Sequence, residues 1–181
     1  MHLAKTRRGP EIGFSLIETM LAIIVLTSGL LSLAAVFTEG VALMSVSQMD
    51  VIAKQKATEA IESVFAARDT RVLTWARIRN VSEGGIFLNG PQPLHTECAA
   101  NDGIANTADD AACPRDSIVD PGPDGLLATS DDRFMPLTSF TRELEILDVG
   151  PNLRRIRVIV HYRASRFARD YVLITFFSSF A

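Results

Sequence analysis

The sequence predicts an α+β fold in which one long N-terminal helix packs on a small C-terminal antiparallel sheet. Residues 11–90 contain no proline, which permits an uninterrupted helix of unusual length. Residues 140–180 alternate apolar and polar side chains, the pattern of strands with one buried face. Between these regions lies an acidic stretch, residues 97–132, which we interpret as a loop insertion in the globular head.

Composition limits the classes of function. The chain has 181 residues, 48% of them apolar, enough for one domain and an appendage. Its 18 Lys and Arg against 21 Asp and Glu give a net charge of −3, which argues against a general nucleic-acid binder. We do not expect an enzyme, because the sequence has neither a phosphate-binding glycine loop nor a nucleophile motif near its few histidines.

The N-terminal segment is long and apolar enough to cross a membrane. Met20–Phe37 holds 18 uncharged residues, and Lys5, Arg7 and Arg8 precede it, which favours a cytoplasmic N-terminus. A secretory signal peptide needs a shorter apolar core with a small-residue cleavage site directly after it. A plain signal anchor explains the length and the basic flank but not Glu18, because a carboxylate inside hydrocarbon costs about 2–3 kcal/mol.

A third interpretation accounts for all of these features. The hexapeptide GFSLIE at residues 13–18 resembles the processing site of type IV prepilins and type II secretion pseudopilins. The resemblance implies that a prepilin peptidase removes the basic leader, residues 1–13, by cutting between Gly13 and Phe14, and then N-methylates Phe14. It also implies that Glu18 meets the N-terminal amine of a neighbouring subunit, or of its own chain, during filament assembly.

Within this family the Leu-rich segment after Gly29 and the small head are most similar to minor pilins of the PilV-like class. The implied partners are the prepilin peptidase, other pilin or pseudopilin subunits, an inner-membrane assembly platform and the membrane itself. The implied location is the inner membrane for the single-pass precursor, then the pilus, the cell surface or the periplasm. A type II secretion minor pseudopilin has a similar plan. An alternative from another class is a membrane-anchored calcium-binding adhesin or DNA receptor that does not polymerise.

The predicted helix covers residues 14–68 and has two different halves. Its first half lies in the membrane or filament core, and its second half packs against the globular head, residues 69–181. Residues spaced by three or four form one apolar stripe along the second half, which is the face that a head would cover. The stripe consists of Leu43, Val46, Met49, Ala53, Ala57, Ile61 and Val64.

Three strands with short connections are predicted within residues 140–180, in an antiparallel meander. The last of them is expected at Tyr171–Phe177. Arginines follow one face of the middle strand, and a positive groove for DNA is one interpretation of them. We favour cross-strand ion pairs with two glutamates instead, because no aromatic platform interleaves with the arginines. The expected pairs join Glu143 and Glu145 to Arg155 and Arg157.

The acidic stretch contains an internal repeat. Residues 97–132 hold nine acidic side chains and one basic side chain, and the pattern D-G-x-x-x-T-x-D-D occurs at residues 102–110 and again at 124–132. Carboxylates this close repel one another unless a cation lies among them, and oxygen-rich loops are the sites that calcium prefers. We therefore predict calcium binding. The expected ligands are Asp124, Asp131 and Asp132, with Asp120 assisting, and Asp102, Asp109 and Asp110 in the first copy.

Two cysteines, Cys98 and Cys113, lie on either side of the first copy. Outside the cytoplasm they can oxidise, and a bridge that closes about 16 residues contributes about 3 kcal/mol in the chain-entropy model. The family resemblance supports a disulfide between them, since pilins often carry one such bridge in their C-terminal half. The sequence lacks the C-x-x-C spacing of a catalytic thiol pair.

Overall fold

The computed structural model describes Gly13 and residues 15–164 and 167–180. The chain divides into two units, Met1–Leu43 and Met44–Ala181. One helix, α1 (Leu16–Asp69), contributes to both units and has 54 residues. Its bounds agree with the prediction at the C-terminal end, whereas the predicted first residue, Phe14, lies outside the described residues.

In the second unit α1 forms one side of the hydrophobic core. Ala53, Ala57, Ala60 and Val64 are completely buried there, because small side chains let the strands of the sheet approach the helix closely. The predicted stripe is therefore confirmed from Ala53 onward. Leu43 departs from it, since this residue ends the first unit and is exposed.

The other side of this core is formed mainly by the three longest strands, which have 10, 12 and 12 residues. The strands in chain order are β1 (Gln92–Pro93), β2 (Ser117–Asp120), β3 (Arg133–Pro136), β4 (Thr141–Gly150), β5 (Leu153–Ala164) and β6 (Phe167–Ser178). Four of them form one antiparallel sheet in the spatial order β1-β4-β5-β6. The predicted α+β fold and its C-terminal meander are confirmed.

The sheet differs from the prediction in two details. Strand β6 begins at Phe167, four residues before the expected start at Tyr171, because Phe167–Asp170 also pair with β5. Strand β1 was not expected, since two residues, one of them proline, carry no alternation signal.

The acidic stretch is more ordered than a simple loop insertion. Strands β2 and β3 form a separate antiparallel hairpin, and the second copy of the repeat connects them. A 3₁₀ helix, Ala108–Ala112, lies at the end of the first copy. Two further 3₁₀ turns, Trp75–Arg77 and Val81–Glu83, follow α1.

Candidate functional site

The predicted processing motif lies at the start of α1. Gly13 is exposed, and apart from its own atoms and its chain neighbours no described atom lies within 4 Å of where a Cβ would stand. Phe14, the predicted new N-terminus, lies outside the described residues. The carbonyl of Ser15 accepts hydrogen bonds from the N–H groups of Glu18 at 3.0 Å and Thr19 at 3.2 Å, which forms the first turn. The Glu18 side chain is exposed in this turn, where a carboxylate interacts favourably with the helix dipole.

The first half of α1 is suited to an apolar environment. An 18-residue window of the helix has a mean hydropathy of 2.4, and none of it is buried within the described structure. The hydroxyl groups in this region donate to carbonyls one turn earlier, so they need no water. These bonds join Thr27 to Ile23 at 2.8 Å, Ser32 to Ser28 at 3.0 Å and Thr38 to Ala34 at 2.6 Å. The segment is therefore long enough, apolar enough and internally bonded enough to cross a membrane.

The first copy of the acidic repeat closes on itself through its carboxylates. Asp110 Oδ2 accepts hydrogen bonds from the N–H groups of Asn106 at 2.7 Å and Thr107 at 3.3 Å. Asp109 accepts from the Thr107 hydroxyl at 2.7 Å and from the Asp102 N–H at 2.7 Å. The carboxylates thus satisfy backbone donors that a tight loop would otherwise leave unpaired.

The second copy repeats this arrangement bond for bond. Asp132 Oδ2 accepts from the N–H groups of Ala128 at 2.7 Å and Thr129 at 3.2 Å. Asp131 accepts from the Thr129 hydroxyl at 2.6 Å and from the Asp124 N–H at 3.4 Å. The fifth residue of each copy has φ of +66°, so the shared sequence pattern encodes one shared backbone conformation.

The two copies differ in their surroundings. In the first copy Ile104, Asn106 and Thr107 are buried against the rest of the second unit. In the second copy Leu126 and Leu127, which follow its glycine, are about two-thirds exposed. The first copy is therefore part of the core, whereas the second presents its loop to solvent at the end of the β2–β3 hairpin.

A polar network holds the first copy in place. Arg142, buried in β4, donates from Nε to Asn106 Oδ1 at 2.7 Å and from a terminal nitrogen to the Lys56 carbonyl at 3.1 Å. Lys56 Nζ lies 2.5 Å from Asp116 and 2.7 Å from Glu59. Burial lowers the pKa of Lys56, but its hydrogen bonds to Asp116 and Glu59 outweigh that effect and raise the pKa above its ordinary value. Helix, repeat and sheet are linked through these groups.

The predicted calcium ligands are placed but not gathered around one point. In both copies the carboxylates point inward onto their own backbone, as described above. Asp120 lies at the end of β2, opposite Arg133 in the hairpin register. Within the described part of the chain, no group of three or more His, Cys, Asp or Glu side chains is arranged to hold a metal ion. Calcium binding remains a prediction.

The Cys98–Cys113 disulfide is present, with the two Cα atoms 5.8 Å apart. It closes the chain around the first copy of the repeat. His95 lies beside it and its Nδ1 is 2.7 Å from the Cys113 carbonyl. The bridge joins the chain on the two sides of the first copy, and Arg142 attaches the middle of that copy to β4 through Asn106.

Asparagine residues close one edge of the sheet, a role that was not predicted. Asn80 donates from Nδ2 to the Leu144 carbonyl at 2.7 Å and accepts at Oδ1 from the Ile146 N–H at 2.8 Å. Asn106 Nδ2 donates to the Arg142 carbonyl at 2.9 Å. Each amide thus takes the place of a strand beside β4. A difference between the repeats was the available signal: the first copy has Asn106 where the second has Ala128.

Arg154 is a second buried cation that sequence reasoning missed. It is 1% exposed, its guanidinium lies 4.1 Å from the ring centroid of Trp75, and Nε is 2.5 Å from Asp148. A terminal nitrogen also donates to the Trp75 carbonyl. Arg154 lies on the same side of β5 as Ile156 and Val158, so the strand directs it into the core, where the Trp75 ring and the Asp148 carboxylate satisfy its charge.

The exposed face of β5 carries one of the two expected cross-strand pairs. Arg157 lies 2.9 Å from Glu145, to which it is also paired in the strand register. Arg155 is instead opposite Leu147, and Glu143 lies 3.6 Å from His161 Nε2. The ion-pair interpretation therefore holds for Arg157 and Glu145. It is wrong for Arg155 and Glu143, because the register places Arg155 opposite Leu147 and Glu143 opposite Ile159.

Comparison with known proteins returns no relative. No protein-family model, curated protein or solved structure matches this chain. The fold, a long helix on a small antiparallel sheet, is compatible with a pilin-like plan.

Proposed function

We propose that this chain is a structural subunit, a minor pilin, of a type IV pilus. The observation that carries the proposal is the first half of α1, which is apolar on all sides, unburied and preceded by the GFSLIE motif. A helix apolar all round needs a membrane or a bundle of like helices to cover it. A pilin uses both environments in turn, first as a membrane precursor and then in the filament core.

The position of Glu18 supports this proposal. Cleavage after Gly13 creates an amine at Phe14, four residues before the only acidic side chain of the apolar segment. An amine or a carboxylate buried alone is strongly destabilising, whereas the hydrogen-bonded pair relieves both costs. The pair would set the position of each subunit along the bundle, since apolar packing by itself specifies register only weakly.

The second unit supplies the surface of the assembled subunit. Its core depends on α1 from Ala53 onward, so the head is attached rigidly to the half of the helix that lies outside the apolar segment. The first 13 residues would remain in the cytoplasm until the prepilin peptidase removes them, and an inner-membrane platform would then deliver the helix to the filament. The minor-pilin assignment follows the Leu-rich segment and the small head.

A type II secretion minor pseudopilin is the second candidate, because the same motif, helix and head serve both machines. A membrane-anchored calcium-binding adhesin or DNA receptor is the candidate from another class. It is supported by the exposed second acidic loop rather than by the helix. Identification of the mature N-terminus separates the two filament roles from the anchored protein, and sheared filaments separate pilus from periplasmic pseudopilus.

A further inference from the structure

The two edges of the four-stranded sheet differ in how many of their outward backbone groups have hydrogen-bond partners. On the β4 side, β1 pairs with Thr141 and Arg142, and the Asn80 amide bonds the backbone of Leu144 and Ile146. The chain itself therefore occupies this edge between Thr141 and Ile146. On the other side, β6 pairs with β5 and with no other strand of the described structure.

The register shows which backbone groups of β6 point outward. In an antiparallel sheet the N–H and C=O of one residue point to the same side, and consecutive residues alternate. Because Leu144 and Ile146 point to the Asn80 edge, their partners in β5, Val158 and Ile156, point toward β6. Those residues pair with odd-numbered residues of β6, so the even-numbered residues point outward. The outward groups belong to Val172, Ile174 and Phe176.

The same three residues expose apolar side chains. Val172 is 42%, Ile174 50% and Phe176 55% exposed, on the face of the sheet opposite α1. Tyr171–Phe177 contains no charge, glycine or proline. Proteins usually protect a free edge with charges, proline, bulges or a short strand, and this segment has none of these devices.

Charged residues occur only at the beginning of β6, and each of them contacts a residue of another element. Arg169 lies 3.3 Å from Asp50 on α1, and Asp170 lies 2.7 Å from His161 Nδ1 on β5. At the other end the Ser178 carbonyl accepts a hydrogen bond from Arg68. The chain therefore leaves open a bounded, uncharged edge of seven residues, Tyr171–Phe177.

We propose that the Tyr171–Phe177 edge binds an extended strand of a different polypeptide, which becomes the next strand of the sheet. Outward N–H and C=O groups at every second residue are complementary to an extended backbone. The exposed apolar row requires a strand that is uncharged and presents apolar side chains at alternate positions. The bound strand would cover both the backbone groups and this row.

A second copy of this chain is the less suitable occupant, and this choice depends on the proposed filament role. Head-to-tail pairing would need the opposite edge, which β1, Asn80 and Asn106 occupy in its first half. Antiparallel pairing of β6 with β6 is two-fold, so it would reverse one head relative to the other. Subunits of one polar filament all have the same direction.

The test uses detergent-solubilised full-length protein and a fluorescent synthetic peptide of alternating Thr and Val. Fluorescence anisotropy should show saturable binding. Ile174→Pro removes an outward N–H that the β5–β6 ladder does not use, and Ile174→Lys retains the N–H but adds a charge. Each should weaken binding about tenfold or more, whereas Ile174→Ala should have a smaller effect. Equal binding to wild type and Ile174→Pro would overturn the proposal.

Two controls separate this inference from the assigned function. Thermal unfolding of Ile174→Lys, a substitution of an exposed side chain, should match that of wild type and show that lost binding is not lost folding. A dimer in light scattering that Ile174→Lys dissociates would assign the edge to a second copy and contradict the choice of occupant. Cleavage after Gly13 does not involve β6, so its outcome reports on the filament proposal alone.

Discussion

Asn106 and Arg142 exchange two hydrogen bonds across 36 residues of sequence. The Arg142 guanidinium donates to Asn106 Oδ1 at 2.7 Å, and Asn106 Nδ2 donates to the Arg142 carbonyl at 2.9 Å. Both residues are almost completely buried. One amide thus satisfies a buried cation and an edge carbonyl of β4 together, and it attaches the first acidic copy to the sheet.

This relationship predicts a large cost for Asn106→Gly. Glycine adopts the φ of +66° without strain, so the change removes the side-chain amide and adds no backbone strain. Two buried groups would lose a partner, and we expect the free energy of unfolding to fall by about 2–4 kcal/mol in chemical denaturation. Ala128→Gly, at the same position of the exposed copy, is the matched control and should be neutral or stabilising. Equal effects of the two variants would show that the amide bonds contribute little.

Asp110 predicts a specific pH dependence. Burial raises its pKa above 3.8, and the opposing N–H bond from Asn106 and charge of Arg142 do not cancel this effect. A raised folded-state pKa means that the folded protein binds the proton more tightly, so this group's contribution to stability is lost as the pH rises above about 4. Asp110→Asn keeps an oxygen acceptor and removes the ionisation. Its stability relative to wild type should therefore increase between pH 3 and pH 7, and an unchanged difference would contradict the assignment.

The sequence was sufficient for the elements whose signal is local. The stripe from Ala53 to Val64 predicts the buried face of α1, and the alternation around Ile156 predicts β5 and the side it buries. The internal repeat is also local, and its two copies make equivalent hydrogen bonds. In each case the information lies within one helix turn, one strand or one short loop.

The features that the sequence did not predict depend on distant partners. Asn80 closes an edge formed more than 60 residues later, and no local pattern distinguishes it from any other turn asparagine. The first acidic copy bonds to Arg142 of β4, a partner 36 residues away that its own pattern does not indicate. Alternation puts Arg154 on the core side of β5, but its partners Trp75 and Asp148, which make that burial tolerable, lie elsewhere in the chain.

Calcium binding predicts protection of the second acidic copy from proteolysis. Its loop is exposed and contains Asp124 and Asp131, so a protease that cleaves beside aspartate should cut it. With calcium bound the loop should be cut several-fold more slowly than in chelator, because bound metal stabilises the closed conformation. Asp131→Asn should lose this protection, while Glu83→Gln, an exposed change outside the repeat, should retain it. Identical digestion of the wild type with calcium and with chelator would eliminate the metal site.

The register role of Glu18 predicts a separation of processing from assembly. Glu18→Ala should be cleaved nearly as well as wild type, yet its incorporation into filaments should fall by about tenfold or more, because the unpaired amine at Phe14 is costly to bury. Glu62→Ala, at an exposed position of the same helix, is the control and should assemble normally. Quantitative immunoblots of sheared filaments and membranes measure both steps. Normal incorporation of Glu18→Ala would remove the proposed amine–carboxylate pair.

The cleavage assignment predicts that Gly13→Ala accumulates uncut in the membrane. The residue before the scissile bond is exposed and has open space around it, and a methyl group there interferes with the peptidase rather than with the fold. Gly29→Ala, in α1 and outside the motif, should be processed normally. Mature protein at the wild-type level in Gly13→Ala cells would contradict the assignment.

The mature N-terminus is the most direct test of the filament account. Mass spectrometry of the protein from sheared surface filaments and from washed inner membranes should find a peptide that begins at N-methylated Phe14. Its presence in filaments supports the pilus, and its restriction to membranes favours the periplasmic pseudopilus. A chain that still begins at Met1 in both fractions would contradict processing and assembly, and would leave a membrane-anchored binding protein in their place.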